Sequence, residues 1–139
     1  MNRLHLIFIS LLILVIVSCD KSETDEKGVI YGKWEVTTFM SVESAAYPKK
    51  NGFNPVIEFK NDELYSLILD VNSCSGSFTL MAENNISISS AGCTKICCDS
   101  EFSKKFVTML LQVNRYSIEG NKMKLNIPGW GWIELMEKK

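Results

Sequence analysis

From Gly32 to Met136 the apolar residues of this chain fall into short alternating runs, cut by turn residues every few positions. Side chains alternate across a strand with a period of two, so this pattern restricts the chain to pleated strands with one buried face. Residues 33–40 place Trp34 and Val36 on one face; residues 54–60 form a second run, and Asn61-Asp62 turns it back into residues 64–71. Residues 75–81 follow, then Glu83-Asn84-Asn85 turns into residues 86–89. Residues 116–118 and 123–127 flank Glu119-Gly120-Asn121-Lys122, a hairpin signal, and Pro128-Gly129 leads into residues 132–136. One segment breaks the period: Phe102, Phe106, Leu110 and Val113 have helical spacing behind Asp99 or Ser100, either of which makes a good N-cap. The expected fold is mainly β (α+β), an antiparallel meander of about eight strands with one helix over about residues 100–113.

The amino terminus addresses a different question. Arg3 precedes an uncharged run from Leu6 to Val17, which ends in Ile16-Val17-Ser18-Cys19. A positive start, a greasy stretch and a small residue before the cut describe a secretory signal peptide, residues 1–18. The four residues ending in Cys19 resemble the bacterial lipobox. That resemblance implies diacylglycerol on the Cys19 sulfur, cleavage before Cys19 and an acylated new amino terminus. Three acyl chains, at about 0.8 kcal/mol per buried CH2, hold a protein on a membrane essentially for good. An uncut transmembrane helix is the alternative, although the run sits near the lower length limit for spanning. The expected location is the bacterial cell envelope, lipid-anchored at the outer membrane on its periplasmic or surface face. Residues 19–31, polar and acidic at first, read as a flexible tether, and residues 32–139 as the folded domain.

Removing residues 1–18 would take away Arg3 and His5, the one histidine of the chain. A chain without histidine cannot run Ser-His or Cys-His nucleophilic catalysis, and it lacks the commonest ligand of catalytic zinc. One basic residue fewer than the 15 in the whole chain, against 16 acidic ones, leaves a weak negative balance with no attraction for nucleic acid. Beyond Cys19 stand Cys74, Cys93, Cys97 and Cys98, an even number suited to bridges in an oxidising compartment. Adjacent cysteines rarely bond to each other. The expected pairings are therefore Cys74–Cys98 with Cys93–Cys97, or Cys74–Cys97 with Cys93–Cys98. A four-sulfur zinc or iron–sulfur site is the competing reading, but the spacing is not that of paired C-x2-C motifs.

Several motifs, taken in order, resemble the META domain, the family of the heat-shock protein HslJ. They are Trp34; Ile57 to Phe59; Asn72-Ser73-Cys74-Ser75-Gly76-Ser77-Phe78; Thr94-Lys95-Ile96-Cys97-Cys98; and Tyr116-Ser117-Ile118-Glu119-Gly120-Asn121-Lys122-Met123-Lys124-Leu125. The similarity spans about residues 32–137. Val71 stands where the family has a cysteine, and Phe78 where it has a tyrosine. The resemblance implies a curved antiparallel sheet closed or nearly closed into a barrel, with the helix covering an opening. It also implies an exported or lipid-anchored protein loosely linked to stress tolerance, motility or virulence, envelope stress tolerance being the expected role here, with no catalytic residues to carry over.

The candidate binding residues are Asn72, Trp130 and Trp132. Asn72 can cap a turn or floor a ligand pocket. Alternation puts Trp130 and Trp132 on one face, as core residues or as an aromatic patch for a protein or sugar partner, with one buried and one partly exposed as the expected outcome. The carboxylates of Glu58, Glu63, Asp70, Glu134 and Glu137 follow no catalytic spacing. The expectation is a non-catalytic binding or structural module, a monomer without metal or cofactor. It would meet the membrane through the Cys19 lipid and an envelope protein or peptide through the domain. The alternative is a carrier of a small apolar ligand in a barrel cavity.

Overall fold

The computed structural model describes residues 29–139. The signal segment, Cys19 and most of the tether lie outside the described residues, and no helix among those described is long and apolar enough to cross a membrane. Among the described residues nine strands run in chain order: β1 (Gly32–Ser41), β2 (Val56–Phe59), β3 (Leu64–Ile68), β4 (Ser73–Leu80), β5 (Ile86–Ile88), β6 (Gly92–Cys93), β7 (Arg115–Glu119), β8 (Lys122–Ile127) and β9 (Gly131–Glu137). The helix α1 (Glu101–Leu110) lies between β6 and β7.

Every pairing is antiparallel, in the order β5-β4-β3-β2-β1-β9-β8-β7, with β6 beside the start of β4. The two ends of this sheet approach each other. Asn85 forms an isolated bridge to Arg115, and the Ile86 N–H donates to the Asn114 carbonyl at 3.0 Å. The meander is therefore nearly a closed barrel, and the contact between its ends satisfies backbone groups that an open edge would leave unpaired.

The alternation expected for β1 changes phase partway along. Trp34 and Val36 are buried, but register with β9 shifts between Val36 and Thr38, a β-bulge centred on Thr37. One extra residue turns the next odd-numbered side chain inward, so Phe39 faces the core and Met40 faces out, 45% exposed. Phe39 stacks on Phe102 with ring centroids 4.4 Å apart.

Helix α1 begins where its cap requires. The Ser100 hydroxyl accepts from the Ser103 N–H at 3.2 Å, satisfying one of the orphan donors of the first turn. Its apolar stripe of Phe102, Phe106, Met109 and Leu110 joins the strands in a single core. The helix ends at Leu110, short of the expected residue 113, yet Val113 still packs inward. Phe59, Phe78, Phe106, Tyr65, Leu67 and Leu125 are among the side chains that fill the barrel interior.

The cysteine pairing departs from expectation. Cys74 and Cys93 face each other across β4 and β6, with Cα atoms 4.0 Å apart, and form one bridge, which leaves Cys97 and Cys98 side by side in the loop that follows. Strand pairing decided this: opposite positions on neighbouring strands meet regardless of the spacing along the chain. The Cys74–Cys93 bridge spans a separation of 19 residues. Closing a loop of that length contributes about 3 kcal/mol in the chain-entropy model.

Candidate binding surfaces

Asn72 is a fastener. It is 8% exposed, and its side-chain amide uses all its main bonding directions. Nδ2 donates to the Ile96 carbonyl at 2.7 Å and to Asp99 Oδ2 at 2.6 Å; Oδ1 accepts from Thr94 Oγ1 and from the Ile96 N–H, both at 2.8 Å. Asp99 Oδ1 in turn accepts from the N–H groups of Val71 and Asn72. Next to this network, Asp70 accepts from the Ser100 N–H and hydroxyl and from the Ser103 hydroxyl. Burial raises the Asp70 carboxyl, but those hydrogen bonds outweigh it and hold it below its ordinary value. Together the two networks tie the cysteine-bearing loop and the start of α1 to the β3–β4 turn. None of the four side-chain bonding directions of Asn72 faces a pocket.

Trp130 and Trp132 do not share a face. Gly131 sits between them at φ 140, and a Cβ there would lie 1.9 Å from the Met40 carbonyl oxygen. This backbone conformation breaks the alternation expected across the pair. Trp130 turns into the core, 7% exposed, at 6.0 Å from Phe39 edge to face. Trp132 stays on the outer surface opposite Met40 of β1, half-buried. Its Nε1 donates to Glu134 Oε1 at 3.1 Å, and Lys124 Nζ sits 5.6 Å from its ring centroid. Glu134 and Lys124 also line an open cleft of about 400 Å³, together with Thr37, Ser117, Glu119 and Lys122. An indole with one wet edge, next to alternating charges in a concavity, has the composition of an interface anchor.

A second cleft, of about 300 Å³, opens along the far half of β1, where Phe39, Ser41, Glu43, Tyr47, Lys49 and Phe102 contribute to its walls. Glu43 accepts from the Tyr47 hydroxyl and from Lys105 Nζ at 2.9 Å. These two contacts, Tyr47 first, lower its carboxyl to about 2. Trp130 Nε1 lies near enough to add to that lowering, yet it is a buried donor that makes no hydrogen bond of proper geometry among the described residues. Lys49 Nζ donates to the Thr37 carbonyl at 2.8 Å and to Asn54 Oδ1 at 2.6 Å, and stands 4.4 Å from the centre of the Phe102 ring. Burial lowers the Lys49 ammonium, with Glu35 opposing.

The Glu43 cluster has a pH signature. A carboxyl depressed in the folded state stabilises fully above its unfolded value and loses that contribution as pH falls through its folded value. Glu43 is therefore expected to stay ionised, and bonded to Tyr47, from its ordinary value of 4.5 down to about 2. Carboxyl-carbon NMR titration reads this directly; a midpoint near 4.5 would show that the cluster does not hold in solution.

Sequence reasoning passed over Glu43, Tyr47 and Lys49, which lie in an irregular loop with no period to read. The one available signal was Tyr47, an aromatic residue in a loop between strands. Helical spacing sets Lys105 off the apolar stripe of Phe102, Phe106 and Leu110, but its stem packs inward so that Nζ reaches 5.0 Å from the Tyr47 ring centroid.

The META domain model matches residues 27–136. Among solved structures, the chain is similar to the NMR structure of a protein from Burkholderia xenovorans, at 13% identity and a TM-score of 0.64, over 78% of this chain and 82% of that one. It is also similar to the crystal structure of a DUF4847 family protein from Bacteroides vulgatus ATCC 8482, at 17% identity and a TM-score of 0.58, over 78% of this chain and 93% of that one. At these identities the likeness is one of fold. No curated protein matches.

Proposed function

The chain belongs to the META domain family, and from that premise we propose that it is a lipid-anchored bacterial envelope protein whose barrel is a non-catalytic binding module. The anchor rests on Ile16-Val17-Ser18-Cys19. The module meets its partner, another envelope protein or a peptide, through the outward face of Trp132. One observation carries this reading: the barrel interior is occupied by its own side chains, while Trp132 is left half-buried on the outside beside a charged cleft. A carrier of apolar ligands needs an internal cavity of several hundred cubic ångströms. Phe59, Phe78 and Phe106 stand where that ligand would sit. A role in envelope stress tolerance would follow from what the module holds.

A photo-reactive residue placed at Met40 or Asn126, the cross-strand neighbours of Trp132, tests the face in living cells. The expected result is a discrete adduct from both positions, lost when Trp132→Ala is added and absent from a probe at Thr79. Adducts that ignore the position of the probe, or survive Trp132→Ala, would contradict the reading. Palmitate labelling that depends on Cys19 tests the anchor independently.

A further inference from the structure

We propose that the far half of β1 is an open strand edge that takes an extended, acidic peptide by adding it to the sheet. The site is separate from the Trp132 face and does not depend on it.

The backbone supplies the first reason. Strand β2 covers β1 only from Gly32 to Glu35, so beyond the Thr37 bulge β1 has β9 alone as a neighbour. Val42 donates its N–H to the Trp130 carbonyl at 3.0 Å, which fixes the phase of the ladder. In an antiparallel pair, residues alternate between bonding across and facing away. Met40 and Thr38 therefore bond to β9, and the N–H and C=O groups of Phe39 and Ser41 point away from it. Among the described residues no hydrogen bond reaches them. The cleft of about 300 Å³ lies along this same stretch, and both Phe39 and Ser41 line it. An unpaired row of donors and acceptors facing a concavity is the template that strand addition uses, with the incoming chain about 4.8 Å away.

Charge supplies the second reason and selects the peptide. Glu43 is neutralised by Lys105, and Glu35 is paired with Lys138 at 3.3 Å. Among the described residues Lys49 is then the charge of the cleft without an ion pair of its own, Glu35 acting on it only from a distance. An ammonium has three donors. Two are held by Thr37 and Asn54, which aim the group, and the third has no partner among the described residues. The ring of Phe102 beneath Lys49 fixes its position further. An acidic side chain on the added strand completes this site.

The test uses the full-length protein in detergent micelles, read by amide NMR. The probe is the blocked peptide Ac-Thr-Val-Thr-Glu-Thr-Val-Thr-NH2. In the protein alone, the Phe39 and Ser41 amides should exchange with solvent at least tenfold faster than those of Met40 and Val42. Adding peptide should shift and slow both, while the Trp132 indole signal stays still. Methylating alternate peptide nitrogens should abolish binding. Placing Lys for Glu in the peptide, or Lys49→Gln in the protein, should weaken it about fivefold or more. Ser41→Pro removes an edge-facing N–H while leaving the ladder bonds of Met40 and Val42 to β9, and should block binding; if its fixed φ makes that variant misfold, the methylated peptide carries the same test. Phe39 and Ser41 amides already protected in the protein alone would overturn the proposal, because the edge would then be engaged by the chain itself. No shift at millimolar peptide, or shifts centred on Trp132, would overturn it equally.

Discussion

Gly131→Ala is expected to destabilise the protein by about 4 kcal/mol, lowering the thermal midpoint by about 15 °C. The added methyl carbon would lie 1.9 Å from the Met40 carbonyl oxygen and 2.9 Å from the Ser41 Cα, both backbone atoms of β1. No rotamer relieves such a clash, so β1 and β9 must separate at the Ser41–Gly131 pair. The φ of 140 at Gly131 adds strain, because side chains rarely adopt that conformation. Gly129→Ala separates the two effects. Gly129 also has a positive φ, of 71, but nothing lies within 4 Å of its Cβ position. That variant should lose only about 1 kcal/mol. Urea denaturation of the two variants in parallel gives the comparison, and equal losses would mean that the strands do not approach as closely as described.

The second large effect is Asn72→Ala, expected to lose about 3 kcal/mol. Four side-chain hydrogen bonds disappear together, and each contributes about 1 kcal/mol, with partial replacement by water at the exposed Thr94 and Ile96. Asp99 keeps its contacts to the Val71 and Asn72 N–H groups but loses the amide on its other oxygen. Asn72→Asp should be no better, since it sets a carboxylate against Asp99. A binding role for Asn72 would instead give a variant of normal stability that fails to hold a partner. Chemical denaturation followed by circular dichroism decides between the two.

Much of this architecture was legible in the chain. Phe102, Phe106 and Leu110 repeat at helical spacing behind a serine that does cap the helix, and Glu119 to Lys122 do close a two-residue hairpin turn with Gly120 at φ 60. Local signals of this kind act within a few residues, so sequence displays them. What stayed hidden depends on partners far away along the chain. Strand β6 is two residues long, and its pairing with β4 sets Cys93 opposite Cys74. The bulge at Thr37 reverses the facing of Phe39 without leaving any mark in composition. The same holds for Trp130 and Trp132, where alternation failed because Gly131 takes a backbone conformation that periodicity cannot reveal. The Phe39–Ser41 cleft was invisible for a related reason. Its walls come from β1, the loop after it and the helix N-terminus, segments that only the folded barrel brings together.

The central claim is that the barrel is packed solid and works from its outer surface. Native mass spectrometry of the protein, gently extracted from its own membranes, tests this most directly. The predicted spectrum shows the polypeptide with its acyl chains and no further apolar molecule. A non-covalent companion of several hundred daltons, released by organic solvent and still present in Trp132→Ala, would mean that the interior carries a ligand, and would contradict the account.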